Sequence, residues 1–164
     1  MKLVTLLSAA LLMSPLAASD YDALGKTLRQ ALPRCGTVAV VCDSAHSKPA
    51  LDAIAGAMAG MKLLVVDVKT QQDLGRALST LNGRHPDAVV LVAGDKVVGD
   101  GTSAAAFLIQ RMASAKVPTL ATTESGVRQG AALGIGAGTG GKVMANTKLA
   151  AMTGLAIPAG ASQI

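Results

Sequence analysis

The sequence predicts an α/β protein built on a single doubly wound, mostly parallel sheet with a C-terminal hairpin and a short helix. Four short apolar runs carry that expectation: Thr37 to Cys42, Lys62 to Val68, Asp87 to Ala93 and Pro118 to Thr122. Each leads through polar loop residues into a segment with helical spacing, the pattern of a buried parallel sheet covered by helices on both faces. A fifth, glycine-interrupted run at Ala131 to Gly136 and a shorter one at Lys142 to Asn146 flank a glycine cluster, which reads as a hairpin.

The first segment, Met1 to Ser19, has Lys2 before an apolar stretch from Leu3 to Leu12 and a small-residue run Ala17-Ala18-Ser19. It is expected to be a secretory signal peptide cleaved after Ser19, because its apolar core is much shorter than the roughly 20 residues that span a bilayer. The expected location is therefore the periplasm. The remaining stretch from Asp20 to Ile164, about 145 residues, is one domain's worth of chain.

Asp20 to Leu32 reads as an amphipathic helix with Leu24, Leu28 and Leu32 on one face and Pro33 at its end. After the first strand, Asp43 to Ser47 forms a polar loop, Ser47 stands as an N-cap, and a helix follows from Pro49 to Ala59. Its small residues Ala53, Gly56, Ala57 and Gly60 suit packing against the sheet. After the second strand, Gln71 to Leu81 carries Leu74, Leu78 and Leu81 on one face, with Asn82-Gly83 as the stop. The third strand runs out into Gly94 to Gly101, whose three glycines and two aspartates suggest a mobile, solvent-facing loop. Thr102 or Ser103 then caps a helix to about Ser114.

Composition excludes several function classes. The formal net charge is +5, or +4 once Lys2 is removed, with no block of Lys or Arg. With one Tyr, one Phe and no Trp there are no stacking platforms, so nucleic acid is not an expected partner. Cys35 and Cys42 bracket the first strand seven residues apart. An extended chain holds such residues roughly 23 Å apart, far beyond the Cα separation of about 4.4 to 6.8 Å that a disulfide requires. No intrachain bridge is expected; Cys42 reads as a small core residue and Cys35 as a candidate for pairing between chains.

The cluster Gly134 to Val143 contains both a GxGxxG spelling and a near phosphate-loop spelling. Val143 stands where a phosphate loop needs Ser or Thr, and no acidic residue follows to hold a ribose, so neither nucleotide motif is met and no cofactor is expected. The chain has no Gly-x-Ser-x-Gly elbow and no His-Glu-x-x-His; its histidines are His46 and His85. His46 with Asp43 would give a metal only two ligands, so no metal site is expected. His46 as a base would need a carboxylate or serine converging on its ring. The expectation is a protein that is not an enzyme.

In open parallel sheets ligands bind beyond the carboxyl ends of the strands. The loops after Cys42, Val68, Ala93 and Thr122 therefore form the candidate rim, with a polar inventory of Asp43, Ser44, His46, Lys69, Asp95, Lys96, Thr122, Thr123 and Glu124. The candidate ligand-binding residues are Asp43, Ser44, Gly94, Asp95, Thr122 and Thr123.

The passage Val117-Pro118-Thr119-Leu120, then Glu124 to Gly134, Lys142-Val143 and Asn146 to Pro158 resembles the end of ABC-transporter substrate-binding proteins of the type-I periplasmic-binding fold. Thr37 to Asp43 and Gln71 to Ala88 resemble upstream parts of one lobe of the same proteins. The resemblance implies a Rossmann-like periplasmic-binding lobe that takes a small polar solute and works with a membrane transporter. A binding protein of that family closes two lobes, and this chain has residues for one, so a second copy in a homodimer or another protein would supply the second jaw. The tail from Asn146 to Pro158 is similar as well to small periplasmic repressors of diguanylate cyclases. That similarity implies an alternative, a regulatory module that binds an inner-membrane signalling enzyme without a small ligand.

Overall fold

A computed structural model describes residues 18–137 and 142–164. Strands β1 (Thr37–Cys42), β2 (Lys62–Asp67), β3 (Ala88–Leu91), β4 (Thr119–Thr123) and β5 (Leu133–Ala137) are all parallel. β6 (Met144–Ala145) runs antiparallel to β5, and β7 (Ser162–Gln163) runs beside β6. The sheet order is β2-β1-β3-β4-β5-β6-β7. Helices α1 (Ala18–Ala31) and α2 (Lys48–Ala57) cover one face, and α3 (Leu74–Arg84), α4 (Ser103–Ser114) and α5 (Glu124–Arg128) cover the other. α6 (Thr147–Thr153) joins β6 to β7.

Burial on both faces explains why the strands read as continuous apolar runs. Val38, Val40 and Cys42 of β1 enter the core beneath α1 and α2, while Ala39 and Val41 enter the core beneath α3 and α4. β1 spans the residues expected of it; β3 is shorter, since Val92 and Ala93 already belong to the exit turn. The hairpin is present as the β5–β6 pair. The glycine spellings fall partly on 138–141, outside the described residues, as does most of the expected signal peptide. Gly134 has a packing reason: a Cβ there would meet Val127 Cγ2 at 2.1 Å, so α5 sits against β5 only over glycine.

Three local expectations give way to tertiary contacts. Asn82-Gly83 does not stop α3, which continues to Arg84 and ends at His85 in the left-handed region (φ 48°). Gly56 does not pack on the sheet; it is exposed with nothing near it, and the close approach is made by Gly25 of α1 against Ala57 of α2. The Gly94–Gly101 loop is only partly solvent-facing: Gly94, Lys96 and Gly101 are exposed, but hydrogen bonds close the turn around a buried centre. Asp95 and Val98 are buried, the Gly99 amide donates to the Asp95 carbonyl at 3.1 Å, and the Thr102 hydroxyl donates to the Val97 carbonyl at 3.1 Å.

Cys35 and Cys42 are free thiols. Burial, with Asp95 adding, pushes the Cys42 thiol up to about 12, and burial with Asp87 pushes Cys35 to about 11. Both are therefore protonated and unreactive at neutral pH. Among the described residues no helix is long and apolar enough to cross a membrane.

Candidate functional site

The sheet order reverses at β1, whose neighbours β2 and β3 are reached by crossovers on opposite faces, so β1 and β3 flank the topological switch point. A cleft of about 220 Å³ opens at their carboxyl ends. It is lined by Val92, Ala93 and Gly94 leaving β3, His46 and Ser47 after β1, Pro49, Ala50 and Ala53 of α2, and Tyr21 of α1. A wider groove of about 770 Å³ lies between α3 and α4, with Leu78, Phe107 and Arg111 in its lining. The smaller cleft is the candidate site, because it lies at the switch point.

Of the six candidate residues, Gly94 lines the cleft directly. The others are held by long-range hydrogen bonds. Asp95 is buried, and its Oδ2 accepts from the Asp43 amide (2.7 Å) and the Ser47 hydroxyl (3.0 Å). Its Oδ1 accepts from the Val97 and Val98 amides, each at 2.9 Å. Asp95 therefore ties the β1 exit to the β3 exit and keeps little accepting capacity for a ligand. Ser47 occupies the N-cap position of α2 without capping it, because its hydroxyl is spent on Asp95. Ser44 donates from both its amide (2.9 Å) and its hydroxyl (2.7 Å) to Asp67 Oδ1. The Thr122 amide and the Thr123 hydroxyl donate to Asp100 Oδ2, at 3.0 and 2.8 Å.

The largely covered Asp43 carboxylate meets the exposed His46 ring, with Oδ2 2.6 Å from Nδ1. This hydrogen bond is the largest influence lowering the Asp43 pKa. A carboxylate therefore does converge on His46, while the Ser44 and Ser47 hydroxyls donate to Asp67 and Asp95. Replacing His46 with alanine is expected to move the Asp43 carboxyl back up towards the ordinary aspartate range without changing global stability. A side-chain NMR titration reads this, and an unchanged Asp43 titration would mean that the pair does not persist in solution. Among the described residues no group of three or more His, Cys, Asp or Glu is arranged to hold a metal ion.

Sequence reasoning passed over Tyr21, Ala93 and Asp100. Tyr21 extends the Leu24 and Leu28 stripe of α1 and is the one tyrosine of the chain, a polar tip on an otherwise apolar face. That signal was available. Asp100 was hidden inside a run that looked like loose loop.

Fold and cleft together define an open, doubly wound α/β lobe, and comparison with solved structures narrows the class. The chain is similar to an ABC domain in complex with L-Trp from Streptococcus pneumonia, with a TM-score of 0.71 and 17% identity over 88% of this chain and 62% of that one. It is also similar to a conserved domain protein from Vibrio cholerae, with a TM-score of 0.69 and 19% identity over 87% and 59%. A third is the ligand-free, open form of a substrate binding protein with adhesive properties from Clostridium difficile, with a TM-score of 0.68 and 18% identity over 85% and 57%. The chain shares its α/β fold with these three structures. It spans 57% to 62% of the length of the three structures. No protein-family model matches it, and no curated protein does.

Proposed function

We propose that this protein is a periplasmic solute-binding lobe that takes a small polar ligand in the cleft between the ends of β1 and β3, and that it binds without catalysis. The observation that carries the reading is the coincidence of a cleft with the topological switch point of the sheet. The Streptococcus domain of the same fold holds L-Trp, which indicates the size class of solute such a lobe can serve.

At about 220 Å³ the cleft falls below the roughly 300 to 1,000 Å³ of a complete small-molecule site. It is one wall, and a second copy of the chain or a membrane-protein partner supplies the other. The Ser44 and Ser47 hydroxyls near the His46–Asp43 pair donate to Asp67 and Asp95, which speaks against a serine nucleophile at this pair. A second reading, a regulatory module for a membrane signalling enzyme, draws on the α3–α4 groove, where Phe107 stands 42% exposed beneath the Arg111 guanidinium.

Native mass spectrometry of protein made from the full chain and released gently from the periplasm tests these together. The expected result is a chain beginning at Asp20 that carries one small-molecule adduct per lobe. An uncleaved cytosolic chain would overturn the location. A bare chain that co-purifies with a membrane protein would favour the regulatory reading.

A further inference from the structure

Among the described residues β2 forms one edge of the sheet and pairs only with β1. The Lys62 amide donates to the Gly36 carbonyl at 2.7 Å and the Val68 amide to the Cys42 carbonyl at 2.9 Å, so the even-numbered residues of β2 turn their backbone groups towards β1. Successive residues of a strand turn those groups to opposite edges. The amides and carbonyls of Leu63, Val65 and Asp67 therefore face outward, and among the described residues none of these amides finds an acceptor outside the β1 ladder.

The two edges of the sheet differ. β7, at the far end, is two residues long, and so short an edge offers little for another strand to pair with. β2 has six residues, no proline, and an unbroken register with β1. Its centre is Leu63-Leu64-Val65-Val66, with Val65 42% exposed. A long apolar edge without a bulge, a proline or a central charge is one that proteins cover with another strand.

Charge selects the strand that covers it. β2 carries a cation at its start, Lys62, a carboxylate at its end, Asp67, and only apolar side chains between them. The Ser44 hydroxyl, donating at 2.7 Å, holds the Asp67 carboxyl below the ordinary aspartate range, so the acid is charged at neutral pH. Such a strand is complementary to itself when reversed: an antiparallel copy sets each basic end beside an acidic end, whereas a parallel copy stacks like on like.

We propose that β2 pairs antiparallel with β2 of a second copy of this chain, about a two-fold axis at Val65. Outward-facing residues must meet outward-facing residues, which sets Val65 against its own copy, Leu63 against Asp67 and Leu64 against Val66, with about six new backbone hydrogen bonds. Leu63 packs against the core beneath α1 and α2, while Leu64 and Val66 pack against the core beneath α3 and α4, so the joined strands extend both cores. The contact is isologous and closes after two copies. It also points the two β1–β3 clefts to opposite ends of the joined sheet. This copy is therefore not the second wall of either cleft, and the inference stands apart from the solute-binding reading.

Sedimentation velocity of protein made from the full chain, run with reductant across a concentration series, measures the assembly, and amide hydrogen exchange by NMR locates it. The expected result is a dimer in which the Leu63, Val65 and Asp67 amides become at least about tenfold more protected as the dimer forms, with Leu64 and Val66 protected at every concentration. Val65→Lys sets two like charges against each other on the axis and should weaken the dimer at least about tenfold, with the circular dichroism spectrum unchanged. Should that variant fail to fold, Val65→Pro removes only an outward-facing amide, keeps the bonds to β1, and should weaken the dimer about 100-fold or more.

A parent that stays monomeric at every concentration would overturn the pairing and leave the solute-binding reading untouched. A dimer whose odd-numbered β2 amides still exchange freely, or one that Val65→Lys and Val65→Pro leave intact, would place the contact elsewhere and overturn it as well. Growth beyond two copies would overturn the closed two-fold arrangement.

Discussion

Asp95→Ala is expected to lower stability by about 3 kcal/mol or more, among the largest losses for a rim substitution. One carboxylate receives four donors: the Asp43, Val97 and Val98 amides and the Ser47 hydroxyl. With Asp95 only 7% exposed and Val98 fully buried, water cannot replace what alanine removes. The β1 and β3 exits, which together frame the cleft, would lose their tie. Asp95→Asn keeps one acceptor and turns an N–H₂ towards donors on the other side, so it should fall between alanine and the parent. Urea unfolding reads the series, and an unshifted midpoint for Asp95→Ala would show that the tie does not exist. Loss of ligand binding in this variant would follow from the collapsed rim and is no proof that Asp95 touches ligand.

Gly25→Ala should be nearly as damaging, at about 2 kcal/mol net. A Cβ at Gly25 would lie 2.4 Å from the Ala57 carbonyl oxygen and 3.0 Å from its carbon. These are backbone atoms at the end of α2, and Arg29 Nη2 also donates to that oxygen at 2.9 Å. No rotamer change relieves the contact; α1 must move off α2, taking the Tyr21 wall of the cleft with it. Gly56→Ala is the control. That glycine lies inside α2 with nothing within 4 Å, so alanine there should raise stability by about 0.5 to 1 kcal/mol through helix propensity alone. Calorimetry should therefore give opposite signs for two Gly-to-Ala changes in neighbouring helices. The same sign for both would remove the helix contact from the account.

The strands were legible because burial on two faces leaves a one-dimensional mark, an unbroken apolar run, and β1 spans the residues that its run marked. Asn146 and Thr102 cap their helices through bonds to Leu149 and Ala105 amides, contacts only three residues long that local chemistry specifies. What sequence could not reveal lies at long separation. Ser47 looks like a cap until Asp95, 48 residues on, takes its hydroxyl. Asp100 looks like loop solvent-facing chemistry until Thr122 and Thr123 arrive 22 and 23 residues later. The parallel-sheet rule located the rim, but which of its side chains remain free depends on partners that periodicity does not encode. β7 left no mark because two residues paired at an edge need no hydrophobic pattern.

The central claim is that the β1–β3 cleft is where this lobe meets its solute. Nitrogen–proton correlation NMR of protein made from the full chain, titrated with L-amino acids or with whatever adduct mass spectrometry identifies, tests that most directly. The account predicts saturable shifts centred on the amides of Tyr21, Ser47, Val92, Ala93 and Gly94, with the α3–α4 groove unmoved. Shifts centred instead on Leu78, Phe107 and Arg111 would contradict it.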